Sequence, residues 1–471
     1  MLFERFETEG LAHYSYAVGC PGAGEITIVD PKRDIDAYLD FAQANDVEIT
    51  HILETHIHAD YASGARKLAE RTGASLWASA YDHGEIFEMS FPHQDMYEGD
   101  SIEMGAVRIE ALHTPGHTPE HLSFLVYDGT RSQRVPLLML SGDFLFVGSL
   151  GRPDLLGEEA KHSLAAKLFS SARNKIKHLP DGLEIHPAHG AGSLCGAGIS
   201  ARPFTTLGYE RATNPYLNDE LAEETFIAQI LATVPPFPAY YKRMKRVNSE
   251  ATQTPLATPG YDYCSAEQAW EHVQKGHVII DLRDPISFSA GHIPGAYSIG
   301  AGSSVSTWAS WVVPYDAPIL LVAPDEEKAD SAVRALSRVG LDEVRGCLKG
   351  GMESWLEAGY PVRSLSMVSP ADLNRNMHNG NVDILDVRND EEWHEGHISN
   401  SIHVMAGQLL DNLSSVPKDA DQLAVVCGSG YRSTIASSIL EREGFENIVN
   451  VAGGIGAWKR SGLPLTQNGR G

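Results

Sequence analysis

The chain is short of cysteine, short of cations and without a long apolar run, and each shortage removes a class of protein. Five cysteines among 471 residues (Cys20, Cys195, Cys264, Cys347 and Cys427) are odd in number, widely spaced and form no CxxC pair. That argues against a disulfide framework and against a structural zinc knuckle. Cys20, Cys264 and Cys347 read as small buried hydrophobes. Lys and Arg number 37 against 62 Asp and Glu, for a formal net charge of −25. A chain this acidic is repelled by phosphate backbones and anionic lipid, so neither nucleic acid nor a membrane surface is expected as a partner. No stretch holds the roughly 18 uninterrupted apolar residues of a spanning helix. The opening MLFERFETEG has no apolar signal core. These features predict a cytoplasmic enzyme or assembly and leave homo-oligomerisation open.

The composition, 42% apolar and 21% charged, suits a protein that buries real cores. At about 150 residues per domain the length predicts three domains. Residues 1–246 hold most of the histidines and alternate strand with helix: strands at Glu25–Asp30 and Glu48–Leu53 flank a helix at Ile35–Asn45. VNSEATQTPLATPG, residues 247–260, has no apolar periodicity and reads as a linker. Beyond it the sequence repeats. Asp281, Arg283 and Gly291-His292-Ile293 match Asp386, Arg388 and Gly396-His397-Ile398, and LKGGMESWLEAGYPV (348–362) matches VAGGIGAWKRSGLPL (451–465). Two small α/β modules with parallel sheets are therefore expected, at 261–364 and 365–471.

In the second module the strand run LAVVC ends in Cys427, and GSGYRSTIASSILEREGF follows with Ile435, Ile439 and Leu440 at helical spacing. A strand, a Gly-rich turn and a helix place Cys427 over a helix N-terminus, where backbone N–H groups favour a thiolate or a persulfide anion. Arg432 adds positive charge to the rim. In the first module the aligned position is Ala323, followed by Asp325, Glu326 and Glu327, which cannot carry sulfur and would repel anions.

The N-terminal domain carries His56, His58 and Asp60 in THIHADYASG, His117 in TPGHTPEH, Asp143 in SGDFLF and His189 in HPAHG. Each lies in a Gly- or Pro-punctuated loop after an apolar run. Alternation along a strand exit would let His56, His58 and Asp60 converge. Imidazole and carboxylate are the donors that borderline first-row cations prefer.

DVR (386–388), EGHI (395–398), CGSGYRS (427–433) and GGIGAW (453–458) resemble the rhodanese family of sulfurtransferases. That resemblance implies that Cys427 is the persulfide-bearing nucleophile, with Arg432 beside it and Gly428, Ser429, Gly430, Tyr431 and Ser433 as its cradle. It also implies that the first module is a rhodanese-homology domain without catalysis. The histidine motifs resemble the metallo-β-lactamase superfamily, which implies an αββα sandwich with metal on loops at the sheet edges. Two-metal members such as glyoxalase II follow the motif Asp with a His. Here Tyr61 stands there, and a phenol with its pKa near 10 is a poor substitute.

With SGDFLFVGSLGRPDL (141–155) and HPAHGAGSLCG (186–196), the pattern resembles the persulfide dioxygenases. That implies one Fe(II) per chain on His56, His117 and Asp143, a set that takes Zn where iron is lacking. It implies an outer shell or second site at His58, Asp60 and His189, and substrate contacts from Arg152, which would face the thiol, and Tyr61. Glutathione-using members carry PAHDY where this chain has PAHGAG, so the thiol carrier stays open. Cys195, six residues past His189, is a candidate sulfur relay. The expected partners are a low-molecular-weight thiol persulfide, O₂, sulfite and thiosulfate, in sulfide detoxification. The alternatives are a glyoxalase II-like thioester hydrolase fused to a sulfur carrier, and a non-catalytic sulfur-binding scaffold.

Overall fold

The structure, a computed structural model, describes residues 1–251, 260–378 and 382–467. The chain forms two compact units, Met1–Ala257 with Ser337–Gly340, and Thr258–Leu336 with Leu341–Gly471.

In the first unit two six-stranded sheets face each other. One runs Leu2–Thr8, His13–Cys20, Glu25–Val29, Glu48–Leu53, Ser75–Ser79, Gln94–Met96. The other runs Thr205–Thr206, Glu184–Pro187, Leu138–Gly142, Leu122–Asp128, Val107–His113, Ser101–Met104. Alternation along the strands divides the apolar residues into three layers. Tyr16, Val18, Leu53, Ile109, Phe124 and Leu140 pack between the sheets. Ile26, Ile28 and Ile52 meet Tyr38 and Leu68 of the helices Asp36–Ala44 and Ala65–Thr72. Leu125, Met139 and Ile185 meet Leu168 and Phe226 of the helices Lys161–Asn174 and Glu223–Ala232. This is the expected αββα sandwich, and the histidine motifs leave its strands at one edge.

The second unit holds two five-stranded, all-parallel sheets of the same order. The repeated residues have matching structural places. Arg283 and Arg388 fork onto Asp281 and Asp386 and donate to the carbonyls of Gly291 and Gly396, tying strand end to the following turn. Trp355 and Trp458 are buried, and their indoles donate to the carbonyls of Pro361 and Pro464. The central strands Ile319–Val322 and Leu423–Val426 are followed directly by Ala323 and Cys427, respectively.

The linker boundary needs correction. A helix covers Tyr241–Ser249, and Asn248 and Ser249 are buried. Residues 252–259 of the expected linker lie outside the described residues. Cys264 and Cys347 are buried as expected, whereas Cys20 is partly exposed. Among the described residues no helix is long and apolar enough to cross a membrane.

Candidate metal centre and sulfur-carrying loop

Where the strand Glu48–Leu53 ends, Asp30, just past the end of the neighbouring strand Glu25–Val29, captures the chain. Its carboxylate accepts the Thr55 N–H at 2.7 Å and the Thr55 hydroxyl at 2.8 Å. The Thr55 oxygen sits 2.9 Å from His56 Nδ1. His117 is held in the same way: its Nδ1 donates to the Arg152 carbonyl at 2.9 Å. Asp143 follows Gly142, whose φ is +54° and which has no room for a Cβ beside His121. The Asp143 N–H donates to His121 Nε2 at 2.9 Å, and His121 Nδ1 lies 2.9 Å from the Thr114 hydroxyl. A Cβ on Gly151 would overlap the Asp143 carbonyl, which explains the second glycine of the GSLGRPDL run.

These supports bring one donor atom from each of His56, His117 and Asp143 within 4.8 Å of one another, all buried. His117 Nε2 and Asp143 Oδ2 lie 3.3 Å apart with no hydrogen-bond partner among the described residues. Buried polar atoms left unpaired carry a free-energy penalty that a cation removes. Burial also holds the His56 and His117 imidazoles well below their ordinary pKa, so both are neutral, the form that ligates. The donor set fits a first-row divalent ion with open positions.

The expected convergence of His56, His58 and Asp60 does not occur. His58 turns away, its Nε2 lying 3.1 Å from Asp30 Oδ1 and 3.3 Å from Glu54 Oε2. Burial works to lower its pKa, but the two carboxylates prevail and hold it well above its ordinary value. His189 places Nδ1 at 2.7 Å from Asp143 Oδ1 and Nε2 at 2.8 Å from Asp60 Oδ2. Here too burial is opposed by the two carboxylates, and the imidazole is raised to about 10. His189 therefore orients Asp143 directly, and Asp60 acts through it. His58 reaches neither His117 nor Asp143 and belongs to a separate ion network.

Three expected substrate or relay residues have other surroundings. Tyr61 is buried, donates its hydroxyl to the Asp30 carbonyl at 3.2 Å and is kept a neutral phenol by burial. Arg152, 1% exposed, forks onto Asp154 at 2.7 and 2.8 Å and donates to the Leu194 and Pro235 carbonyls. Its guanidinium is scaffold rather than the expected substrate contact. Cys195 is buried with its Sγ 3.8 Å from the Tyr241 hydroxyl, and burial raises its thiol well above the ordinary value. It stands near Asp60 and His189, with donor atoms within 4.8 Å. The glycine of PAHG has a local cause: a Cβ on Gly190 would lie 2.2 Å from the Tyr14 hydroxyl.

The helix Tyr241–Ser249 runs into the stretch expected to be linker, and its polar face serves the site. Tyr241, Lys245 and Asn248 share a face of Tyr241–Ser249 and are all buried. Tyr241 meets Cys195. Lys245 Nζ lies 3.9 Å from Glu120, whose carboxylate accepts the Ile57 N–H. Asn248 donates to the carbonyls of His58 and Tyr61 and accepts from Ser63 N–H. His121, inside the quoted TPEH run, was the one helper with a visible signal. His13, whose ring centroid is 4.1 Å from that of Tyr61, had none.

In the second unit Cys427 is buried at the strand end, and the Gly430 N–H donates to its Sγ at 3.1 Å. Gly430, at φ +113°, caps the helix Tyr431–Arg442. The Cys427 thiol also points to Ser433 Oγ at 3.4 Å, and Ser433 donates to Asn450 at 2.7 Å, a buried partner the motif did not suggest. Gly428, Ser429 and Gly430 form the turn as expected. Tyr431 instead points to the first module, donating to the Gly300 carbonyl at 3.2 Å and accepting from Ser304 at 3.1 Å. Arg432 is held by Glu392, at 2.5 and 2.7 Å.

A metallo-β-lactamase superfamily profile matches residues 8–189, and a rhodanese-like domain profile matches twice, at 265–358 and 369–461. The chain belongs to the metallo-β-lactamase superfamily and carries two rhodanese-like domains. A hydroxyacylglutathione hydrolase of Anaeromyxobacter dehalogenans is 30% identical over 242 residues, which are 46% of this chain and 86% of that protein. Hydroxyacylglutathione hydrolase GloC of Haemophilus influenzae is 27% identical over 209 residues, 41% of this chain and 87% of that one. A metallo-β-lactamase structure from Staphylococcus aureus aligns at TM-score 0.67 and 34% identity, covering 74% of this chain and 98% of that chain.

Proposed function

We propose that the protein is a persulfide dioxygenase–sulfurtransferase. The first unit would oxidise a low-molecular-weight thiol persulfide, RSSH + O₂ + H₂O giving RSH and sulfite, and Cys427 would carry sulfane sulfur toward thiosulfate. One observation carries this reading: His189 is hydrogen-bonded to both Asp60 and Asp143 while Tyr61 turns its hydroxyl to a backbone carbonyl. Among the described residues, His56, His117 and Asp143 are then the one three-donor group made of two imidazoles and a carboxylate.

His56, His117 and Asp143 would hold Fe(II). An iron ion so held supplies the redox chemistry that joins O₂ to the persulfide sulfur. The residues of the chain do the rest. Thr55 and the Arg152 carbonyl fix the two imidazoles with Nε2 facing inward, His121 and His189 fix Asp143, and burial of the ligands keeps bulk water from the donors. At the second site the Gly430 N–H and the N-terminus of the helix Tyr431–Arg442 stabilise negative charge on Cys427 or on a sulfur attached to it. Ala323, at the matching strand end of the first module, offers no thiol, so that module is read as non-catalytic.

The second reading is a thioester hydrolase of glyoxalase II type. The names of the hydroxyacylglutathione hydrolase relatives favour it, as does the proximity of Asp60, His189 and Cys195. O₂ uptake by the Fe(II)-loaded protein with a panel of thiol persulfides separates the two. Uptake with sulfite formation supports the dioxygenase. No uptake, with two Zn per chain and thioester hydrolysis, supports the hydrolase.

A further inference from the structure

The helix Asp390–Glu395 opens with a capping box. Asn389 accepts the Glu392 N–H at 2.8 Å, and the Glu392 carboxylate accepts the Asn389 N–H at 3.2 Å. The same carboxylate reaches across to the sulfur-carrying loop and forks onto Arg432, Oε2 to Nη1 at 2.5 Å and Oε1 to Nη2 at 2.7 Å. The pair lies against Gly428, the residue after Cys427. A Cβ there would be 3.1 Å from the Arg432 guanidinium and 3.6 Å from Glu392 Oε1. Arg432 is held charged first by Glu392, with Cys427 a smaller influence of the same sign. The side chains are 25% and 33% exposed, so the pair forms a rim that an incoming ion can reach.

An unpaired guanidinium at this rim would recruit sulfur oxyanions by a bidentate fork. Here the fork is already occupied. A dianion such as thiosulfate or sulfite must displace the Glu392 carboxylate or approach beside its negative charge. An uncharged thiol meets neither cost. We infer that Glu392 is a positioning and specificity residue of the Cys427 site, masking Arg432 so that dianionic sulfur oxyanions bind weakly while uncharged thiols are unaffected. This rests on the reading of Cys427 as a sulfur carrier. In the transfer, Cys427–S–S⁻ + SO₃²⁻ gives Cys427–S⁻ + S₂O₃²⁻. The bond between Cys427 Sγ and the outer sulfur breaks, a bond from that sulfur to the sulfite sulfur forms, and the electron pair returns to Cys427 Sγ. With a thiol, Cys427–S–S⁻ + RSH gives RSS⁻ and the Cys427 thiol. Weak holding of the dianion makes thiosulfate a product that leaves readily.

Glu392→Gln removes the charge and keeps an oxygen for the capping box. On the full-length protein, sulfur transfer is measured with thiosulfate as donor and, separately, with an uncharged thiol as acceptor. The variant should lower KM for thiosulfate about two- to five-fold, the range expected for a part-exposed ion pair. KM for the thiol and kcat should stay unchanged, and inhibition by added thiosulfate should strengthen. The double variant Glu392→Gln/Arg432→Gln should lose that gain, because the unmasked guanidinium is what binds the dianion. An unchanged KM for thiosulfate, equal shifts for thiosulfate and thiol, or retention of the gain in the double variant would overturn the inference. Failure of the parent protein to transfer sulfur at all would overturn the carrier reading instead.

Discussion

The side-chain amide of Asn248 donates to the carbonyl of His58 at 2.8 Å, joining the helix Tyr241–Ser249 to the loop that carries His56, 190 residues before Asn248 at His58. The same amide donates to Tyr61 O at 2.7 Å, and its oxygen accepts the Ser63 N–H at 2.9 Å. Asn248→Ala would leave three backbone groups unpaired, at a cost of about 1–3 kcal/mol. Calorimetry should show earlier melting of the first unit, and elemental analysis should show lower iron occupancy at limiting iron. If both stay at parent values, the clamp has no role in holding the loop.

His117→Ala removes one of three donors from the triad. Iron affinity should fall by at least about tenfold, the loss typical even for removing a ligand's support, and sulfite production should cease. Sulfur transfer to cyanide by Cys427 should persist, since the second unit has its own apolar cores. Full iron content together with O₂ uptake would show that the ligand assignment is wrong.

Tyr61→His should restore a nitrogen donor beside Asp60 and His189. Zn content after reconstitution should rise from one toward two per chain, with weaker O₂ uptake. A phenylalanine there would lose only the hydrogen bond to Asp30 and should leave metal content unchanged. One metal in all three proteins would mean that this position does not set nuclearity.

Cys427→Ser leaves a hydroxyl that forms no persulfide. With a thiol persulfide and O₂, sulfite should accumulate where the parent yields thiosulfate. Cys195→Ser should give a weaker switch or none, because its thiol is buried and raised well above its ordinary pKa. Thiosulfate formed at the parent rate by Cys427→Ser would place the sulfur donor elsewhere.

The sequence by itself determined the sandwich, the tandem repeat, the motifs that bring His56, His117 and Asp143 together, and the strand, turn and helix around Cys427, because each depends on local chemistry. Strand period, Gly turns that no Cβ can enter, and paired Asp and Arg two residues apart are written into short segments. His56, His117 and Asp143 were legible because each closes its own motif. Tertiary structure alone decided where side chains in those motifs point. His58 and Asp60 are spaced as though they converge with His56, yet Asp30 and Glu54 draw one away and His189 holds the other. Arg152 read as a substrate contact, but Asp154 and two distant carbonyls occupy it. Asn248 and Lys245 lay in or beside a stretch without apolar periodicity, since their burial serves polar contacts that hydrophobic pattern cannot report. Glu392 was visible as a helix cap, but its hold on Arg432 spans 40 residues and exists only once the sheet brings the two loops together.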